Sequence, residues 1–297
     1  MRESTRIHST ARWLACAAAG FLFAALAPAG ATVLGDVAAK CAECHEGVAS
    51  DFTGSVHGKA FAHGEDHADA SCVSCHGPVD KHIESGEPAD ILNPTRAKGE
   101  AADSSCLQCH QNDAKHAFWA GSNHQEAGIS CVDCHGVHQA VSPRRPKTVH
   151  TTTDLCLSCH TANRKDLAKR SGHPLREGKL DCASCHNPHG TSTEHLVKAD
   201  SVNDLCYGCH QEKRGPFLFE HAPVREDCMT CHTSHGSNHE AMLVTRTTQL
   251  CQSCHLQGRH QTIAGTDTAL WNGNRACLNC HSQIHGSNHP SGPLFQR

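Results

Sequence analysis

The chain has 297 residues, of which 38% are hydrophobic and 4% aromatic. That is below the roughly 45–50% apolar content of an ordinary domain, too thin to organise a side-chain core of this length. It carries instead 21 cysteines and 28 histidines, and its formal charge of −4 excludes a strongly basic nucleic-acid binder.

The N-terminus reads as an export signal. Arg2, Arg6 and Arg12 precede a short apolar run, "WLACAAAGFLFAALA" (Trp13–Ala27), and Ala29-Gly30-Ala31 has the form of a cleavage site. Residues 1–31 are therefore expected to be a signal peptide, and 32–297 the mature domain. The run is too short for a spanning helix. Cys16 goes with the signal, which leaves 20 cysteines in an oxidising compartment.

All 20 fall into CxxC pairs, each followed at once by histidine. In chain order the pairs are Cys41/Cys44, Cys72/Cys75, Cys106/Cys109, Cys131/Cys134, Cys156/Cys159, Cys182/Cys185, Cys206/Cys209, Cys228/Cys231, Cys251/Cys254 and Cys277/Cys280. The histidines are His45, His76, His110, His135, His160, His186, His210, His232, His255 and His281. Zinc knuckles and disulfides also use CxxC, but neither requires the histidine; ten chance occurrences have a probability on the order of 10⁻¹⁰. CxxCH is the attachment signature of c-type haem. Residues i, i+3 and i+4 share one face of a helical turn, so both thiols reach one porphyrin while the histidine reaches its iron. Ten covalent haems follow, one per about 27 mature residues. The fold class expected is a multihaem cytochrome: short α-helices and loops wrapped round a haem chain, almost no sheet, elongated. Ser, Thr, Asp or Asn can cap helix starts in "TTTDLCLSCH", "SVNDLCYGCH" and "RTTQLCQSCH".

The repeat unit is a pair of motifs. Five units start near residues 41, 106, 156, 206 and 251, spaced 65, 50, 50 and 45 residues apart. The connector after each odd motif holds a histidine: His57, His124, His173, His221 and His260. Another trails each even motif: His82, His138, His189, His235 and His285. These ten are the candidate distal ligands, giving bis-histidine iron. His138 lies three residues past His135, too close to reach the far face of its own haem. It is expected to serve a neighbour, the unit partner attached through Cys106 and Cys109. His63 or His67 could replace His57, and His116 could replace His124. His82 departs from the common offset. His150, His195, His239 and His289 are left as surface residues or propionate partners. Gly77–Ser105 is expected to be a long surface loop, and "SPRRPK" (Ser142–Lys147) a solvated one.

Met229 sits inside a motif and Met242 is assigned to packing. Without a potential-raising axial methionine, low potentials are expected. The mature chain has 23 basic and 29 acidic residues, a formal charge of −6. Propionates and iron would take this to about −16 oxidised and about −26 reduced, spreading the ten couples in potential.

Fully ligated haems conduct electrons and leave no iron for a substrate. An electron carrier without its own catalytic site is the expectation; a multihaem oxidoreductase with an accessible haem, or a soluble periplasmic electron store, are the alternatives. Ten CxxCH motifs with "HPLREGKLDCASCHNPHG", "HAPVREDCMTCHTSHGSNH" and "CLNCHSQIHGSNHPSG" resemble the periplasmic decahaem cytochromes of the MtrA/DmsE/PioA family. The resemblance implies a haem wire inside an outer-membrane β-barrel porin. Its implied partners are an outer-surface multihaem cytochrome or terminal reductase, and periplasmic or inner-membrane cytochrome donors. A hydrophilic chain could cross a bilayer only within such a polar lumen.

Overall fold

The computed structural model describes residues 36–63, 72–138, 151–255 and 276–296. The signal peptide, Cys16, His67, "SPRRPK", His150 and His260 lie outside them.

Odd-numbered motifs end helices: Asp36–Cys44, Glu100–His110, Thr152–Cys159, Val202–Tyr207 and Thr247–Cys254. Thr151 and Ser201 cap two of them, their hydroxyls accepting from the amides of Asp154 and Asp204 at 3.0 Å. Such caps satisfy donors that the first helical turn leaves free. The helix at Thr247 differs from expectation. Arg246 occupies its N-cap, and Thr245 instead donates to Gln249 Oε1 at 3.0 Å. Even-numbered motifs are single turns: α-helical at Cys72–His76, Cys131–Cys134 and Cys182–Cys185, and 3₁₀ at Cys228–Thr230 and Cys277–Asn279.

Among the described residues the extended pairings are isolated bridges rather than sheets. Two of them, Ser171 with Ser237 and Phe219 with Ser287, join consecutive units. Val79, Ala102 and Trp119 are the buried hydrophobic residues described, consistent with the composition.

Polar contacts clamp the two motifs of a unit together. Three residues before Cys106, Asp103 is fully buried; its carboxylate accepts from the Cys131 amide and from Trp119 Nε1, both at 2.8 Å. In the fourth unit Asn203 holds the Cys228 amide at 2.8 Å from the same offset. The expected loop after the second motif is more structured than anticipated. It contains a helix, Asp80–Ser85, buries Val79, and returns so that Leu92 N bonds His76 O at 3.2 Å. Turn-forming Gly and Pro residues mark its bends without revealing that return.

Close backbone approach dictates glycine after two trailing histidines. Gly190 (φ +111°) and Gly236 (φ +126°) occupy backbone that side chains rarely adopt. A Cβ there would collide with the carbonyl of Phe118 or Asp166 in the preceding unit.

Candidate haem-binding site

Each attachment motif is built by one turn of backbone. The histidine amide bonds the carbonyl of the first cysteine, at 2.9 Å for His135, 2.8 Å for His210 and 2.9 Å for His281. The two thiols and the imidazole thereby share a face. The last motif corrects the expectation that both cysteines lie inside a helical turn. Its 3₁₀ turn stops at Asn279, so Cys280 follows the turn as its C-cap and is exposed. The physical reason is the tighter winding: the Cys280 amide bonds Cys277 O three residues back, at 3.2 Å. Cys231 caps the 3₁₀ turn of the eighth motif in the same way.

Nine of the ten motif histidines face a candidate distal histidine across a common gap. Ring centroids are 6.1 Å apart for His45 and His82, 6.0 Å for His57 and His110, and 5.9 Å for His76 and His138. They are 6.1 Å apart for His124 and His160, 6.0 Å for His135 and His189, and 6.4 Å for His173 and His210. The last three pairs are His186 with His235 at 6.1 Å, His221 with His255 at 6.2 Å, and His232 with His285 at 6.1 Å. Two metal–imidazole bonds of about 2 Å, with the ring radii, set centroids about 6.2 Å apart. The residues therefore fit one metal ion between each pair. His281 has its counterpart candidate, His260, outside the described residues.

The register corrects the expectation for His138. It faces His76 of the preceding unit rather than His110, its unit partner. His189, His235 and His285 likewise reach back one unit, to His135, His186 and His232. Connector histidines run forward: His57, His124, His173 and His221 face the first motif of the next unit. His82, irregular in sequence, faces His45 within its own unit. His116 does not stand in for His124; it sits beside His110 and His189.

Nδ1 hydrogen bonds orient the rings. His76 donates to Leu92 O at 2.8 Å, His186 to His195 O and His232 to Ala241 O at 2.7 Å, and His281 to Leu294 O. Such a bond fixes the tautomer and leaves Nε2 for a metal. The distal candidates His82, His124 and His173 donate to Glu87 O, Pro188 O and Ser234 O at 2.9, 2.8 and 3.2 Å. Burial holds His57, His138 and His221 below their ordinary pKa, and brings His189 and His285 down to about 4. The neutral imidazole so favoured is the ligating form.

His195 and Leu196, and Ala241 and Met242, have positive φ of 57°, 58°, 51° and 55°. Their strained backbone aims the carbonyls that orient His186 and His232. Composition does not flag this device. Its one sequence signal is the shared nine-residue offset from each motif histidine. Met242 takes part through its backbone: its carbonyl accepts from Thr233 N at 2.8 Å.

The thiols form a sequence of neighbours in chain order. Within units, the first cysteines interact directly: Cys41 with Cys72, Cys106 with Cys131, Cys156 with Cys182, Cys206 with Cys228, and Cys251 with Cys277. Between units it is the second cysteines: Cys75 lies near Cys109, Cys134 near Cys159, Cys185 near Cys209, and Cys231 near Cys254. Burial pushes the Cys206 and Cys251 thiols up to about 11.

Residues 173–215 and 221–260 match the doubled CXXCH motif family, and residues 72–146 match the cytochrome c-type protein NrfB-like family. The multiheme cytochrome MtrA of Shewanella baltica (strain OS185) is 44% identical over 270 residues, covering 86% of this chain and 80% of that protein. The chain belongs to the MtrA family of multihaem c-type cytochromes. Its CxxCH cysteines accordingly mark covalent c-type haem, and its function is electron transfer. In this MtrA-family chain the CxxCH thiols are the attachment groups, and the imidazole pairs are spaced to take a metal ion between them.

Proposed function

We propose that this protein relays electrons in single file through ten covalent, bis-histidine haems, in chain order from the haem at Cys41 and Cys44 to that at Cys277 and Cys280. The observation carrying this reading is the ordered proximity of successive attachment cysteines, combined with nine imidazole pairs at metal-spanning separation. Each bound haem would accept and release one electron at its iron. The chain's residues do the rest. The motif cysteines fix each porphyrin edge, and the motif histidine supplies the proximal ligand.

The distal ligands follow the register. His82 serves its own unit's first site. His57, His124, His173 and His221 each serve the first site of the next unit; His138, His189, His235 and His285 serve the second site of the preceding one. His260 is then left for the site at His281. Two imidazoles on each iron favour low potentials, and in the nine pairs described a histidine rather than a methionine faces the motif histidine.

The chain is read as a mature domain of residues 32–297, exported to the periplasm and associated with the outer membrane through a β-barrel porin. No helix among the described residues is long and apolar enough to cross a membrane. A polar haem carrier traversing lipid would need a barrel lumen. Its electron partners are cytochromes of the periplasm or inner membrane, and an outer-surface multihaem cytochrome or terminal reductase.

Purified mature protein is expected to exceed its polypeptide mass by ten haems of about 0.6 kDa each. Its ferric electron paramagnetic resonance spectrum should contain low-spin signals throughout. A lower mass overturns the count, and a high-spin signal or rapid carbon monoxide binding overturns bis-histidine ligation. Cross-linking in membranes should recover a porin; isolation free of any porin overturns the association.

A further inference from the structure

Among the described residues, Asp103 is the charged side chain that is completely buried. Both of its oxygens are engaged by N–H donors. Oδ1 accepts from the Cys131 amide and Oδ2 from Trp119 Nε1, each at 2.8 Å. Two such donors suit an ionised carboxylate, which accepts and does not donate. Among the described residues no cation forms an ion pair with it. Its charge acts on the thiols of both motifs in its unit, Cys106 and Cys131, which neighbour one another.

The clamp between motifs does not need that charge. The place three residues before the first cysteine holds Thr153 in the third unit and Asn203 in the fourth. Asn203 Oδ1 accepts from the Cys228 amide at the same 2.8 Å, while its amide nitrogen donates to Val224 O at 3.2 Å and Arg225 O at 3.0 Å. Thr153 bonds Cys182 through its side chain. Three other carboxylates, Asp133, Asp181 and Asp227, stand near attachment thiols but reach solvent. Water and salt screen them. The field of Asp103 acts through protein and is screened far less.

We propose that Asp103 sets the reduction potentials of the second unit, its buried charge lowering those of the haems attached at Cys106 and Cys109 and at Cys131 and Cys134. The proposal rests on the attachment reading above. Reduction adds one electron to an iron, and a fixed anion nearby opposes the added negative charge. Burial and hydrogen bonding around the cofactor are levers through which a protein tunes haem iron. These two haems are therefore harder to reduce than they would be beside an asparagine, and electrons occupy the second unit less.

The test compares the unaltered holoprotein with Trp119→Phe and Asp103→Asn/Trp119→Phe. Trp119→Phe removes one donor and keeps the carboxylate. The double variant removes the charge without setting the new amide nitrogen against Trp119 Nε1. Each protein is checked by mass for ten haems and then titrated reductively in a spectroelectrochemical cell. The area under the curve of reduced haem against potential gives the mean midpoint of the couples. That mean should be higher in the double variant than in Trp119→Phe, with two of the ten couples carrying the rise. A merely structural role predicts the opposite sign, because loosened packing admits water, which favours the more positive ferric centre. An equal or lower mean in the double variant overturns the proposal. Fewer than ten haems in the unaltered chain overturns the attachment reading, and the proposal with it. Should the double variant lose haem, Asp103→Thr/Trp119→Phe, with the residue type the third unit carries, takes its place in the same scheme.

Discussion

Replacing Gly236 by alanine probes how the units are joined. Gly236 follows His235, has φ +126°, and a Cβ there would collide with Asp166 O. That carbonyl has little freedom to retreat, because it already accepts from Lys169 N at 3.1 Å. The next residue, Ser237, is locked to Ser171 by two backbone bonds of 2.9 and 2.8 Å. An unfavourable φ costs about 1–2 kcal/mol. Overpacking against fixed structure adds about 1–3 kcal/mol. Gly236→Ala should therefore destabilise by about 2–5 kcal/mol, or about 4–20 °C in the melting temperature at about 2–4 °C per kcal/mol. Gly128 is the internal control: its φ is +77°, yet nothing lies within 4 Å of a Cβ placed there, so Gly128→Ala should lose only the conformational part, about 1–2 kcal/mol. Thermal melts of both holoproteins, followed at the haem absorbance, give the comparison. Because His235 faces His186, the Gly236 variant should also gain high-spin haem. Equal melting temperatures for the two variants would refute the close-approach argument.

His138→Ala should open one iron in ten, seen as one equivalent of bound carbon monoxide; the effect should vanish when Cys72 and Cys75 are also replaced by serine, and persist when Cys106 and Cys109 are. Asp103→Ala strands two buried donors, the Cys131 amide and Trp119 Nε1, and should destabilise by about 2–6 kcal/mol in chemical denaturation. Asp103→Asn should lose about half of that, because its Oδ1 can still accept from the Cys131 amide, as Asn203 does from Cys228, while its amide nitrogen faces Trp119 Nε1 as a second donor. Ala241→Gly relieves a φ of +51° and should stabilise by about 1 kcal/mol while leaving His232 oriented, checked by an unchanged low-spin spectrum. A chain ending at residue 200 retains the motifs at Cys41 through Cys182; it should carry six haems and bind one carbon monoxide, at the iron facing His186, whereas ligation confined within units predicts none.

The sequence was legible where its signal is local. The CxxCH motifs, the two-motif repeat and the two histidine series all follow from spacing, because one helical turn places i, i+3 and i+4 on one face. Pairing across units was not legible. His138 meets His76, and His57 meets His110, through contacts remote in sequence, and spacing alone gives no preference between a unit partner and a neighbouring unit. The carbonyls of His195 and Ala241 were hidden for a different reason. Their role is a backbone conformation, and neither residue type announces a positive φ as glycine would.

The register accounts for how so apolar-poor a chain holds a fixed order. At the joint between the third and fourth units, His173 reaches forward to His210 while His235 reaches back to His186. His173 Nδ1 also donates to Ser234 O, the carbonyl just before His235, so the two reaches are tied to each other. The preceding joint repeats the tie, with His124 bonded to Pro188 O beside His189. On the proposed assignment, neither site at such a joint is complete unless both units are present. Metal ligation couples to folding because the ligands must be gathered before they can bind. Reciprocal donation spreads that coupling from unit to unit, and it links neighbouring units where the buried Val79, Ala102 and Trp119 could supply only a local core.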